Sequence, residues 1–175
     1  MLGSLPTVPA ATRLDLLSPT VAAAIAAVAG AEVAQIDPEL ADTSVLCAAY
    51  DLPLSVSANC VIVTGRRGDV ERHAACVVLA STRVDVNGLV RRRLEARRAS
   101  FASTDFAVAA SAMEYGGITP IGLPPGWLLL VDAAVVATPA VIIGSGLRRS
   151  KIVLPGAALA TLPGAEVVDG LGRPA

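Results

Sequence analysis

The sequence is poor in the side chains that most often carry enzyme chemistry. Only 3% of its 175 residues are aromatic, and it contains one histidine, three cysteines and a single lysine. A Ser–His–Asp or Cys–His site would have to use His73, which we interpret as a solvated residue at a strand end. Metal sites need several converging ligands, and no Walker or G-x-G-x-x-G motif is present. We therefore predict neither a metal nor a cofactor.

Long apolar runs and paired cysteines are also missing. The longest apolar candidate, residues 21–31, falls short of the roughly 18–20 residues that a membrane helix needs. The first ten residues carry no basic side chain, so we predict no secretory signal, no membrane partner and a cytoplasmic location. The widely spaced Cys47, Cys60 and Cys76 are expected to be buried apolar residues rather than disulfide or zinc ligands.

What the sequence does contain is enough apolar material for one folded domain. Hydrophobic residues make up 54% of the chain and charged residues 17%, with a net charge of −1. This balance excludes a disordered chain and argues against a globally basic nucleic-acid binder. We predict a loose N-terminal arm over residues 1–14, a single folded domain over residues 15–172, and a fraying tail from Gly170 to Pro174.

Helical and strand patterns are interspersed, and hairpins outnumber βαβ units. This order predicts an α+β fold with a mixed, mostly antiparallel, barrel-like sheet flanked by helices. Helices are predicted at 18–30, 38–50, from Asp85 onward, at 104–113 and at 156–162. Strands are predicted at 32–36, 58–64, 73–80, 99–102, 127–131, 140–143 and 152–154.

The segment from Glu114 to Gly122 is the most informative part of the chain. Gly116 and Gly117 allow a tight backbone path close to a ligand, and Pro120 restricts its freedom. Glu114 is the one acid or base in this segment. The pattern therefore favours chemistry carried by backbone N–H groups.

Two further positions have two interpretations each. Asp132 follows an apolar strand, where an acid commonly caps the next helix, the interpretation we weight more, but can also be placed at a pocket mouth. Gly144-Ser145-Gly146 is either a plain turn, to which we give the greater weight, or a pocket wall of small residues.

Arginine is concentrated over residues 83–98, with a second basic set at Arg148, Arg149 and Lys151. Three consecutive arginines fan around about 200° of a helix, so they cannot all contact one partner. A solvated helix face and a phosphate-binding surface both fit this pattern.

These features together resemble the YbaK/EbsC family of aminoacyl-tRNA deacylases, which is similar to the editing domain inserted in bacterial prolyl-tRNA synthetases. The resemblance covers roughly residues 15–170, and its most specific part is G-G-x-[ST]-P-x-G combined with the later Asp and G-S-G-x-R-R. The matching segments are 41–43, 57–60, 115–122, 131–132 and 144–150.

The resemblance implies a pocket for the 3′ end of a charged tRNA and hydrolysis of the ester to a wrong amino acid. It implies that the glycine-rich loop supplies backbone groups around the scissile ester, with water or the substrate's own side chain as nucleophile. The implied catalytic residues are Gly116, Gly117, Pro120, Asn59 and Asp132. The implied substrate-binding residues are Ile118, Thr119, Ser145, Gly146 and Arg148.

The chain departs from the family at one position. Many members carry a lysine in the strand before the hairpin, where this chain has Asn59, and its single lysine, Lys151, is far along the sequence.

Two functions follow as hypotheses. The first is trans-editing hydrolysis of mischarged aminoacyl-tRNA carrying a small amino acid such as Cys, Ala or Ser. The second is a noncatalytic module that binds a tRNA acceptor end or an aminoacyl-tRNA synthetase.

Overall fold

Side-chain caps mark the start of several of the helices. In the computed structural model, which describes residues 2–174, the Asp42 carboxylate accepts the Ser44 N–H at 3.0 Å and starts a helix at Thr43. The segment predicted as one helix over 38–50 therefore consists of a 3-10 turn, Pro38–Leu40, followed by this helix. The helices are α1 (Pro19–Ala24), α2 (Thr43–Ala49), α3 (Arg91–Arg93), α4 (Thr104–Ser111), α5 (Ala133–Val136) and α6 (Gly156–Leu159).

The helix predicted from Asp85 begins differently from the others. The Asp85 carboxylate accepts the N–H groups of Gly88 and Leu89, both at 3.0 Å, and the first turn is a π-turn over Val86–Val90. Helix α3 continues it for three residues. The predicted helix exists, with its N-terminus set by the aspartate, but its first turn is wider than an α-helix.

The strands form three sheets. Their bounds are β1 (Val8–Pro9), β2 (Glu32–Gln35), β3 (Ala58–Arg67), β4 (Val70–Leu79), β5 (Thr82–Val84), β6 (Arg98–Phe101), β7 (Leu128–Asp132), β8 (Val141–Gly144), β9 (Ser150–Leu154), β10 (Ala165–Val168) and β11 (Gly172–Pro174). The strand orders are β1-β2-β9-β8, β10-β7-β4-β3-β6 and β11-β5. Only the β4–β7 and β7–β10 pairings are parallel, so the predicted mixed, mostly antiparallel arrangement is confirmed.

The barrel-like closure is not found in residues 2–174. The β6 and β10 strands end the five-stranded sheet at opposite edges, and β1 and β8 end the four-stranded sheet. The long β3–β4 hairpin occupies the middle of the larger sheet, with Val63 of β3 and Val77 of β4 fully buried. Apolar residues of both sheets pack into one main core, so the sheets face each other as separate layers.

Both chain ends differ from the predictions. Residues 2–14 pack onto the domain instead of forming a loose arm (Met1 lies outside the described residues): Leu5 is fully buried, and Val8 pairs with Val33 of β2. The segment that we expected to fray also packs, because Leu171 is fully buried and β11 pairs with β5. A strand of two or three residues has no readable pattern, and its partner strand provides its stability.

No helix within residues 2–174 is long and apolar enough to cross a membrane.

Candidate active site

A cavity of about 540 Å³ lies where the two larger sheets meet. The sheets are joined there by a parallel bridge between Ser57 and Ile142, at the starts of β3 and β8. The start of α2, the first half of β3, the link from β6 to α4 and the glycine–proline turn complete the wall. Its lining includes Asp42, Asn59, Cys60, Gly116, Ile118 and Lys151.

The glycine–proline turn presents part of its backbone to this cavity. Gly116 has φ +78°, a conformation that favours glycine, while Gly117 donates its N–H to the Glu114 carbonyl at 2.9 Å. The N–H groups of Gly116 and Ile118, whose residues line the cavity, have no acceptor within residues 2–174. The N–H groups of Tyr115, Gly116 and Ile118 are therefore the unused donors on turn residues that line the cavity, whereas the Gly117 N–H, which we expected to face a ligand, is used to close the turn.

The Gly144–Gly146 segment packs behind the turn. The Gly146 N–H donates to the Gly117 carbonyl at 2.7 Å, and the Gly146 carbonyl accepts the Glu114 N–H at 2.9 Å. A Cβ atom on Gly144 would overlap the Gly117 and Ile118 carbonyl oxygens, and one on Gly117 would lie 2.8 Å from the Leu147 backbone. Small residues are needed here because two backbone segments are in direct contact.

Ser145 belongs to this support. Its side chain is fully buried, and its Oγ lies 2.7 Å from the Ser150 Oγ and accepts the Leu147 N–H at 3.2 Å. Gly144 lines the cavity, but Ser145 and Gly146 are not among its lining residues. For Ser145 and Gly146, the structure favours the interpretation as a turn over that as a pocket wall, and this turn supports the site from behind.

Lys151 reaches the cavity from β9. Its side chain is only 5% exposed, and its Nζ donates to the Ala41 carbonyl at 2.8 Å and to the Gly116 carbonyl at 3.2 Å. Burial lowers the pKa of Lys151 to about 8, opposed by the attraction of the Asp42 carboxylate. The chain's single lysine thus holds the glycine–proline turn at the cavity wall.

Asn59 lies on the β3 side of the same cavity. Its Oδ1 accepts the Thr43 hydroxyl at 2.8 Å, so the side-chain NH₂ group stays available as a donor. The structure brings Asn59, Gly116, Ile118 and Lys151 together, which includes three of the predicted site residues.

The cavity wall offers no activated nucleophile among the described residues. Cys60 lines it, but burial raises the pKa of this thiol, and the thiolate is the reactive form. His73 lies elsewhere, with its ring centroid 4.5 Å from that of Phe106 and 5.5 Å from that of Trp127. The prediction of a solvated histidine was wrong, because His73 packs into an aromatic cluster.

Asp132 is a structural cap. Its Oδ1 accepts the Ala134 N–H at 2.8 Å at the start of α5, and its Oδ2 accepts the Gly172 N–H at 2.5 Å beside β11. The carboxylate is buried and is not among the residues that line the cavity. Both oxygens are used in backbone hydrogen bonds, which favours the cap interpretation over a pocket-mouth acid.

Thr119 and Pro120 lie behind the cavity wall rather than on it. Both are buried, and the Thr119 N–H points to the Met113 Sδ at 3.4 Å. The Thr119 Oγ1 has no hydrogen-bond partner within residues 2–174.

Arg148 joins the turn to the loop before α2. Its Nη1 donates to the Tyr115 carbonyl and its Nη2 to the Pro38 carbonyl, each at 3.1 Å. Its guanidinium carbon lies 5.9 Å from the centre of the Tyr115 ring. Arg148 therefore positions the turn, and it is not one of the residues that line the cavity.

Two functional features were missed in the sequence. Lys151 was grouped with Arg148 and Arg149 as a possible phosphate contact and was not placed in the pocket, although a single lysine at the start of an apolar strand is itself a signal. The aromatic rings at the cavity edge were also missed: Tyr115 is 65% exposed and Phe101 59% exposed. Since both rings line the cavity, they are candidate contacts for a ligand bound there.

The comparison with protein families finds one match. A family model described as an aminoacyl-tRNA editing domain matches residues 37–162, more than half of the chain. This range includes every residue of the cavity wall named above. No curated protein matches the chain in sequence.

Two solved structures share the fold. A hypothetical protein named APE2540 is 19% identical, with a TM-score of 0.74 and coverage of 85% of this chain and 95% of that one. A protein described as a candidate trans-editing enzyme for prolyl-tRNA synthetase is also 19% identical, with a TM-score of 0.74 and coverage of 90% and 99%. These similarities confirm the predicted α+β fold.

Proposed function

Since the chain belongs to the aminoacyl-tRNA editing domain family, we propose that it is a deacylase that hydrolyses the ester bond of mischarged aminoacyl-tRNA in trans. The observation that carries this proposal is the convergence of unused backbone N–H groups, an amide and a buried ammonium group on one cavity. Such donors stabilise negative charge on an oxygen. Ester hydrolysis develops that charge on the carbonyl oxygen.

The reaction that this site supports uses water as the nucleophile. Water attacks the ester carbonyl carbon, and the N–H groups of Gly116 and Ile118 bind the oxygen that becomes negative. The bond between the carbonyl carbon and the ribose oxygen then breaks, and that oxygen takes a proton. The products are a free amino acid and a tRNA with a free 3′-terminal hydroxyl. Asn59 orients the ribose or the water, and Pro120 stiffens the turn from behind.

The cavity lining suits a small, uncharged amino acid next to the terminal adenosine. Its volume of about 540 Å³ has to hold both groups. Cys60, Ile142 and Ile143 contribute apolar wall. Cysteine, alanine and serine are therefore the amino acids that we propose.

The exposed rings at the cavity edge fit the bases of a single-stranded tRNA end. Aromatic side chains bind bases by stacking, at about 1–3 kcal/mol per base. Tyr115 is held by the Arg148 contacts, and Phe101 ends the edge strand β6. We propose that one or both rings stack on the 3′-terminal bases.

Phosphate contacts are proposed for exposed arginines without an acidic partner. Arg93 pairs with Glu166, whereas Arg92, Arg97 and Arg98 are exposed and form no ion pair within residues 2–174. Their binding to tRNA would weaken as salt concentration rises. The predicted partner synthetase stays a proposal, supported by the solved structure described for prolyl-tRNA synthetase.

The test is a deacylation panel on tRNAPro charged with cysteine, alanine, serine or proline. We expect faster hydrolysis of at least one of the first three than of the proline ester. Gly117→Ala, whose Cβ would meet the Leu147 backbone, should shift the turn and slow hydrolysis by about 100-fold. Gly68→Ala, in the turn between β3 and β4 with nothing within 4 Å of the added Cβ, is the matched control and should keep the rate.

If the ester stays intact in all four reactions, the proposal is contradicted. Binding of tRNA at micromolar concentration without turnover would instead support the noncatalytic acceptor-end module.

A further inference from the structure

We propose that Lys151 is a catalytic residue, whose ammonium group contacts the negatively charged oxygen of the tetrahedral intermediate. This inference rests on the proposed function and extends it, because it assigns the main charge stabilisation to a side chain from β9 rather than to the glycine–proline turn alone. The argument depends on the charge, the hydrogen bonds and the place of this one side chain.

Lys151 is a buried charge without an ion pair. Its side chain is 5% exposed, and no carboxylate lies within 4.0 Å of its Nζ among residues 2–174. An isolated buried cation is costly, and mutating it to an apolar residue of similar size is often favourable. A group that opposes folding in this way is a candidate for a functional role.

The ammonium group has a donor left over. It carries three N–H donors and uses two, on the carbonyls of Ala41 and Gly116. Lys151 also lines the cavity, so the third donor and the unbalanced positive charge are available to a bound substrate.

The two hydrogen bonds place the ammonium group beside the proposed ester site. The acceptor at 3.2 Å is the carbonyl of Gly116, the residue whose own N–H is unused. Gly144 pairs with Lys151 across β8 and β9 and lines the same cavity without a side chain. The absence of a side chain at Gly144 lets the backbone of the glycine–proline turn pack against β8, next to the strand that carries Lys151.

The surrounding groups keep Lys151 mostly protonated at neutral pH. Burial lowers its pKa to about 8, the negative charge of Asp42 raises it, and the positive charge of Arg148 lowers it. The titratable and charged groups that face it from the packed elements are Asp42, Cys47, Cys60, Tyr115 and Arg148. Charge stabilisation by Lys151 should therefore be lost as the pH rises through about 8.

The first experiment compares Lys151→Met with Arg13→Met, which removes the same charge from a half-exposed side chain that is paired with Asp15 and does not line the cavity. Steady-state deacylation is measured on the charged tRNA that the wild type hydrolyses fastest. We expect Lys151→Met to lower kcat by at least 100-fold with KM within threefold of wild type, and Arg13→Met to keep both. A kcat within threefold of wild type, or a loss in KM alone, would overturn the inference.

The second measurement does not depend on the fold of any variant. After subtraction of the uncatalysed rate, wild-type kcat should fall about tenfold per pH unit above pH 8, because the neutral amine cannot stabilise the oxyanion. A kcat that stays constant from pH 7 to 9.5 would overturn the inference.

The third experiment moves the charge across the cavity. The double variant Lys151→Met with Asn59→Lys places an ammonium group on β3, facing the same space. Recovery of kcat by at least tenfold over Lys151→Met supports a role of the charge itself. No recovery in a folded double variant contradicts it when the single variant Asn59→Lys keeps its activity. A wild-type protein that hydrolyses no charged tRNA would reject the proposed function, whereas an active wild type with an equally active Lys151→Met would reject only this inference.

Discussion

Two glycine-rich segments meet beside the cavity, and they contribute to it in different ways. In the segment Gly116–Ile118, Gly116 has a positive φ, and the N–H groups of Gly116 and Ile118 are unused. In the segment Gly144–Gly146, the missing side chain of Gly144 lets the Gly117 and Ile118 carbonyl oxygens lie directly against it. The first segment offers donors to a ligand, and the second holds the first in place.

Lys151 joins the two segments. It is the cross-strand partner of Gly144 and donates to the Gly116 carbonyl. The motif most visible in the sequence therefore depends on a strand far along the chain for its position. Substitutions in the segment Gly144–Gly146 should therefore change the geometry of the site by displacing the glycine–proline turn.

The largest expected effect on the free energy of unfolding comes from adding a side chain where the two segments are in contact. Gly144→Ala introduces a Cβ that overlaps the Gly117 and Ile118 carbonyl oxygens. We expect it to lower the free energy of unfolding by about 3 kcal/mol, measured by urea denaturation. Gly68→Ala, at a hairpin position with φ +60° and nothing within 4 Å, is the control and should cost about 1 kcal/mol. Equal losses in the two variants would contradict close contact between the segments.

The next effect, of at most similar size, is expected from the charge of Lys151, which joins the two segments. The pKa of Lys151 is about 8 in the folded state against an ordinary value of 10.5, so the unfolded chain binds this proton more tightly. Its contribution to the free energy of unfolding should rise by about 3 kcal/mol at most as pH rises from 8 to 10.5. The measurement is the difference between wild type and Lys151→Met at each pH, which cancels the titration of the cysteines and tyrosines. A difference that is constant with pH would show that burial does not lower this pKa.

The smallest effect is expected from the hydroxyl network of the supporting segment. Ser145→Ala removes the contact with the Ser150 Oγ and the acceptor of the Leu147 N–H. We expect a loss of about 1–2 kcal/mol in the free energy of unfolding, read from thermal denaturation. An unchanged stability combined with a raised KM for charged tRNA would instead restore Ser145 as a substrate-binding residue.

Much of the fold could be predicted from local patterns. The strands at 58–64 and 73–80 are long apolar runs on either side of a Gly-Asp loop, and they form the central hairpin, β3 and β4. The strands β1, β5 and β11 could not be predicted, because strands of two or three residues depend on a neighbour for their hydrogen bonds. The pairing of β11 with β5 is therefore a tertiary feature. The strand β10 was missed, although β2, β6 and β8, which also have four residues, were predicted.

The candidate site was predictable only in part. The glycine–proline turn and Asn59 both line the cavity, as expected from residue types that favour close backbone approach and hydrogen bonding. The sequence position of Asp132 could not distinguish a helix cap, which it is, from a catalytic acid. An acid at the end of a strand has the same local pattern whether it caps a helix or faces a pocket.

The sequence by itself determined the α+β fold class, the turn at Gly116 and Gly117, and the scarcity of side-chain nucleophiles. These follow from local properties: apolar periodicity, glycine's conformational range and composition. The tertiary structure alone decided which donors remain free and where the single lysine lies. Lys151 reaches the Gly116 carbonyl across 35 positions of chain because β8 and β9 pair and pack beside the turn, and no local pattern encodes such a distance.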